Sequence, residues 1–166
     1  MGTATQVSVD EYLNTVYRPD CDYVDGVVEE RNVGERDHAR VQTELAILLN
    51  RFRHTGLRAF TEFRMRVREG RYRVPDVIVT QGVPDEKILT RPPLLCVEVL
   101  SPEDSLSRVL TRIQDYLDFG VPTVWLIDPT EQRIWVYRRN GMQEANRDVV
   151  KVDGTSIEIS FSEIFD

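Results

Sequence analysis

The sequence predicts an α/β fold in a single domain over residues 1–166, with a central mixed β-sheet, helices on both of its sides, and an N-terminal helix and β-hairpin before it. Three observations lead there. The apolar patterning runs helix, hairpin, helix, three or four strands, helix, two strands. The strand around Glu98, the helix after it and the strand from Thr123 form a β-α-β unit, which requires its two strands to be parallel. Two stretches, Tyr72–Val79 and Leu94–Leu100, are apolar or β-branched almost throughout, as strands buried on both faces are.

Each element has its own warrant. From Val7 to Tyr17, Val9, Tyr12, Leu13 and Val16 keep helical spacing. Ser8 is placed to cap this helix with Glu11 three residues on, and Pro19 ends it. Cys21–Arg31 reads as two short strands around Asp25-Gly26, the dipeptide a type I′ turn favours. After a polar loop at 32–37, a helix runs from His38 to His54 with Val41, Leu45, Leu49 and Phe52 on its apolar face. His38 and Gln42 lie on that face at its N-terminal end, either bordering a cleft or hydrogen-bonded in the core.

Leu57–Phe60 and Phe63–Arg68 follow as strands. In the second, Phe63, Met65 and Val67 alternate with Arg64, Arg66 and Arg68, so the arginines share one face. That face either touches phosphates or is solvated. A loop rich in turn formers spans 81–93. The helix at 105–119 is expected to bury Leu106, Val109, Leu110, Ile113 and Leu117, with Gly120 as its stop. Thr123–Ile127 and Arg133–Arg138 form a hairpin, and 141–166 gives one or two short strands and a closing helix near 160–164.

Composition narrows the function. The chain is 41% hydrophobic and 30% charged, with a net charge of −7, which argues against indiscriminate nucleic-acid binding. No apolar run approaches the roughly 18 residues of a membrane helix, so no membrane association is expected. Met1–Asp10 lacks a basic segment followed by an apolar one, and Cys96 lies in a buried strand away from a disulfide. A cytoplasmic protein is the simplest expectation.

The chemistry concentrates in the two buried stretches, each of which carries one acid, Asp76 and Glu98. An ionised carboxylate in such a setting costs several kcal/mol unless something pairs with it or binds it. Salt bridges would answer for either acid alone. Two acids on consecutive strands favour a site for a hard divalent cation, held by carboxylates, water and a substrate phosphate.

The stretches YVDGVVEE, a helix opening with His38, VPDVIV, CVEVLSPED, RIQDYLDFGVP and VWLIDP occur in this order between residues 8 and 138. Together they resemble the Uma2 family, formerly DUF820, of the PD-(D/E)xK or restriction-endonuclease-like superfamily. The resemblance implies the nuclease core, a Mg²⁺ (or Mn²⁺) cofactor, and nucleic acid, DNA foremost, as partner. It implies a phosphodiester hydrolase of the endonuclease type, with Asp76 and Glu98 as metal ligands and with His38 and Glu30 completing the acidic end of the cleft. Arg112 stands where the family usually has a lysine. Arginine can contact a phosphate but, staying protonated, cannot act as a base. Arg112 falls at the edge of its helix's apolar stripe, able to reach the cleft or to lie in solvent. The alternative reading is a catalytically decayed relative that binds nucleic acid or regulates. A small-molecule phosphohydrolase is weaker, since no phosphate-cradling glycine loop is present. The oligomeric state stays open, a homodimer included.

Overall fold

The computed structural model describes residues 5–32 and 34–166. Residues 1–4 of the stretch searched for a leader, and residue 33 of the polar loop, lie outside that set.

The chain opens on α1 (Val9–Asn14), capped by Ser8, whose hydroxyl accepts the Glu11 N–H at 3.1 Å. The hairpin of β1 (Cys21–Val24) and β2 (Val27–Glu30) turns as expected at Asp25 and Gly26, both at positive φ. Helix α2 (Arg36–Asn50) tightens into a 3₁₀ turn, Arg51–Thr55. Then come β3 (Leu57–Thr61), β4 (Met65–Arg68), β5 (Arg71–Arg73), β6 (Val77–Gln81) and β7 (Leu95–Val99). Helix α3 (Leu106–Phe119) ends on Gly120 at φ 110°, and leads to β8 (Thr123–Asp128) and β9 (Arg133–Arg138). The remainder is β10 (Gly141–Glu144), β11 (Val149–Lys151), β12 (Glu158–Ser160) and α4 (Phe161–Ile164).

Among the described residues, six strands in the order β10-β9-β8-β7-β6-β3 form the main sheet, and β7 and β8 are parallel as the crossover requires. A second sheet has the order β2-β1-β5-β4. One face of the main sheet meets α2, α4 and the C-terminal strands through Val41, Leu45, Val77, Val97, Trp125 and Ile164. The other meets α3 and β4 through Ile78, Cys96, Val109, Ile113 and Met65. Among the described residues no helix is long and apolar enough to cross a membrane.

Two expectations are corrected. Tyr72–Val79 is not one strand. The chain leaves the small sheet after Arg73 and enters the main sheet at Val77, with Val74-Pro75-Asp76 as the joint. Pro75 has no N–H to give a ladder, so pairing stops there although the apolar run continues. Asp76 therefore sits at a corner between sheets, not in mid-strand. Helix α3 is also rotated from its expected setting: Leu106 and Leu110 are 65% and 40% exposed, and Val109, Ile113 and Tyr116 face the core. Turning Tyr116 inward carries Arg112, one turn earlier, toward the sheet.

Candidate active site

The site forms where the joint, β7 and α3 meet. Asp76 is fixed through its backbone before its side chain acts. Its N–H donates to Val97 O (3.1 Å), and its carbonyl accepts from Glu62 N–H (3.2 Å) and from the Gln42 side chain on α2 (3.1 Å). Its carboxylate is buried and fully engaged. Oδ1 accepts from Arg31 Nη2 at 2.5 Å, and Oδ2 accepts the Val99 N–H at 2.7 Å with His38 Nε2 3.3 Å away. Burial pushes this carboxyl up, but His38, Arg31 and the Val99 N–H outweigh it and hold it below the usual range.

Glu98 lies in mid-strand on β7, its side chain directed to the α3 face with that of Cys96. Oε1 accepts from Tyr116 Oη at 2.5 Å, and Oε2 accepts from Arg112 Nη1 at 3.2 Å. Burial, with the Asp76 charge adding to it, pushes the Glu98 carboxyl up to about 7 against the pull of Arg112, Arg31 and Tyr116. The Tyr116 phenol is pushed up by its own burial and remains a donor. Arg112 is held from its other side by Asp104, Nη2 to Oδ1 at 3.1 Å, and Asp104 is anchored by the Ser101 N–H and the Asn32 side chain.

A third cluster braces the corner. Arg73, 2% exposed, is gripped by Asp22 on β1 (2.9 Å), Glu29 on β2 (3.1 Å) and Asp115 on α3 (2.7 Å). Asp22 also accepts the Val74 N–H at 2.9 Å, so it holds the joint directly. This network ties the small sheet to α3 three residues before Asp76.

A polar cavity of about 60 Å³ opens beside these groups, lined in part by Glu30, Arg31, Asn32, Asp104, Arg108 and Arg112. It has room for a few waters or one small anionic group. A wider cleft of about 560 Å³ shares Glu30, Arg31, Asn32 and Arg108.

The residues expected from sequence are therefore dispersed in a definite way. Asp76, Glu98, His38 and Arg112 converge. Glu30 is exposed at the cleft rim, and among the described residues no three of His, Cys, Asp and Glu form a ready cage for an ion. Arg64 and Arg68 are paired with Asp20 and Asp25, and Arg66 is exposed. All three are on or beside β4, the edge of the small sheet farthest from β2 and the cleft. Sequence reasoning passed over Arg31, Tyr116, Asp104 and Asp22. Tyr116 had a signal, being one turn from Arg112. Asp104 and Asp22 carried none beyond being acids near a turn and a hairpin.

The donor chemistry suits a divalent cation: two buried carboxylates, one on the joint just before β6 and one on β7, are the share a protein gives a Mg²⁺ completed by water and phosphate. The Asp76 carboxylate is meanwhile paired with the Arg31 guanidinium, with His38 Nε2 at 3.3 Å.

Comparison with known proteins agrees with this architecture. A crystal structure of a "putative nuclease belonging to DUF820" from Anabaena variabilis superposes with TM-score 0.85 at 26% identity, covering 96% of this chain and 97% of that one. A cryo-EM structure of a DrdV–DNA complex overlaps 66% of this chain and 12% of its own, at TM-score 0.41 and 16% identity, too slight to carry any inference. No curated protein matches the sequence. The model of the Uma2 family, described as "putative restriction endonuclease", matches residues 9–163, nearly the whole chain, and the protein belongs to the Uma2 family.

Proposed function

We propose that the protein is a divalent-metal-dependent phosphodiester hydrolase of the endonuclease type acting on nucleic acid, with DNA as the first substrate to test. One observation carries this reading: two buried carboxylates, Asp76 at the entry to β6 and hydrogen-bonded to β7, and Glu98 on β7, stand beside a polar cavity whose lining includes their partners Arg31 and Arg112 and which adjoins a wider cleft. A bound Mg²⁺ or Mn²⁺ would supply Lewis-acid activation of water and neutralise charge on the phosphate.

The chain's own groups have distinct parts. Asp76 and Glu98 offer the ligand oxygens. His38 and Tyr116 orient those carboxylates, the first against Asp76 and the second against Glu98. Arg112 shares its guanidinium between Glu98 and Asp104, close enough to turn a fork of donors onto a phosphate oxygen. It remains a cation throughout, so proton transfer from the attacking water falls to another group.

A second reading has its own support. Every oxygen of both carboxylates already accepts from a protein donor or lies against one, as in a site kept only for structure. On that reading the protein binds nucleic acid or regulates without cleaving. Supercoiled plasmid, single-stranded DNA and RNA, incubated with Mg²⁺ or Mn²⁺, separate the two. Cleavage by the wild type and none by Asp76→Ala supports the hydrolase. Equal cleavage by both marks the activity as a contaminant.

A further inference from the structure

We propose that Arg31 is an internal counter-ion that occupies Asp76 in place of a divalent cation and passes to the phosphate of the nucleic acid when cation and nucleic acid arrive together. The inference rests on the hydrolase reading above and deepens it, by naming what keeps the site closed to free metal.

Three observations carry it. Arg31 Nη2 lies 2.5 Å from Asp76 Oδ1, with the side chains 11% and 3% exposed. A cation that binds Asp76 through Oδ1 must first displace that guanidinium. Second, the guanidinium is only partly satisfied: Arg31 Nε is buried and has no hydrogen-bond partner among the described residues. A buried donor without an acceptor is costly, and a phosphate entering the adjoining cavity, which Arg31 lines, would supply one. Third, each carboxylate already faces an arginine as a direct ion-pair partner, Arg31 on Asp76 and Arg112 on Glu98, Arg112 being shared with Asp104. A bare divalent ion would leave a buried excess of positive charge, whereas one accompanied by a phosphodiester brings an anion for the released guanidinium. Arg31 directly follows β2 and opens the connection to α2, so its side chain can change partner without breaking a strand.

The same exchange makes the binding of cation and nucleic acid mutually dependent. Coupling of this kind is reciprocal and commonly amounts to roughly 5–150-fold in affinity.

The test is Mn²⁺ binding, read by electron paramagnetic resonance on the whole protein, with and without a short single-stranded phosphorothioate DNA. The wild type should bind Mn²⁺ weakly alone and about tenfold or more tightly with the DNA. Arg31→Met should bind Mn²⁺ about tenfold or more tightly without DNA, and gain little from it. Asp76→Asn should abolish binding in both backgrounds. Equal Mn²⁺ affinity of wild type and Arg31→Met, lost in each with Asp76→Asn, overturns the role of Arg31 and leaves the hydrolase reading standing. No Mn²⁺ binding to either protein, with or without DNA, overturns both. Should Arg31→Met fail to fold, Arg31→Lys keeps the charge but loses the fork. It should stay weak for Mn²⁺ alone and lose most of the gain on adding DNA, and a gain equal to the wild type's overturns the proposal.

Discussion

The Tyr116 hydroxyl donates to Glu98 at 2.5 Å, joining the last turn of α3 to β7 through two buried groups. Glu98 has one other side-chain donor, Arg112. Tyr116→Phe removes a hydrogen bond to a buried carboxyl and leaves the ring in place. Stability to urea should fall by about 1–3 kcal/mol. A change within a few tenths of a kcal/mol would mean the bond is made equally well by water.

The pH profile follows from Glu98 and His38. The Glu98 carboxyl is raised in the folded state from 4.5 to about 7. Its contribution to stability is therefore complete below about pH 4.5 and is lost as pH climbs through 7. His38 is also raised: burial lowers it, but the Asp76 charge more than compensates. Its contribution is complete below about pH 6.5 and lost above. Asp76 is lowered, so its contribution is lost only as pH falls below about 3.8. The metal-free protein should be most stable near pH 4 and lose up to about 3 kcal/mol by pH 8 through Glu98. Glu98→Gln should flatten that slope and abolish divalent binding. Urea titrations at pH 5 and pH 8 with the same slope for both proteins would rule this out.

Arg73 is the centre of the brace. Arg73→Ala leaves Asp22, Glu29 and Asp115 without their shared cation, two of them largely buried. The expected cost is about 3–5 kcal/mol of unfolding free energy. Asp22→Asn should cost less, since its oxygen can still accept the Val74 N–H.

Arg112→Ala should lower the cleavage rate by about 10²–10³ if the guanidinium holds transition-state charge. It should also cost stability, because it uncovers the buried Glu98. Arg112→Lys keeps a cation on Glu98 and supplies the lysine that the family resemblance implies at this position, so activity should be kept or raised. Loss of activity in both variants with metal affinity intact would assign the role to the guanidinium fork itself.

Arg108 lines the cleft, is exposed, and has no ion-pair partner among the described residues. Arg108→Ala should weaken nucleic-acid binding and reduce the salt slope by about one. Arg66→Glu, on the far edge of the small sheet, should leave affinity unchanged. The reverse outcome would move the nucleic-acid surface to β4.

The elements legible in the sequence are those set by local chemistry. Asp25-Gly26 announces its turn through the positive φ it needs, and Ser8 and Gly120 mark helix ends by capping. The pairing of β7 with β8 follows from chain connectivity. What stayed hidden depends on partners distant in sequence. A run of β-branched residues through Val79 conceals the change of sheet at Pro75. Leu106 and Leu110 match an apolar stripe, but the helix turns to give the Tyr116 hydroxyl a buried acceptor. Asp76 and Glu98 were visible as buried acids, while Arg31 on Asp76 was not, because that contact spans 45 residues.

The joint at Val74-Pro75-Asp76 has a mechanical consequence. Arg73, on its small-sheet side, is clamped to α3, and Asp76, on its main-sheet side, is bonded to β7. The two sheets thus cannot rock against each other without twisting the three residues that aim the Asp76 carboxylate. The angle between the sheets is a coordinate of the candidate site, fixed at one end by the grip of Asp22 and Asp115 on Arg73 and at the other by the bonds from Asp76 to β7.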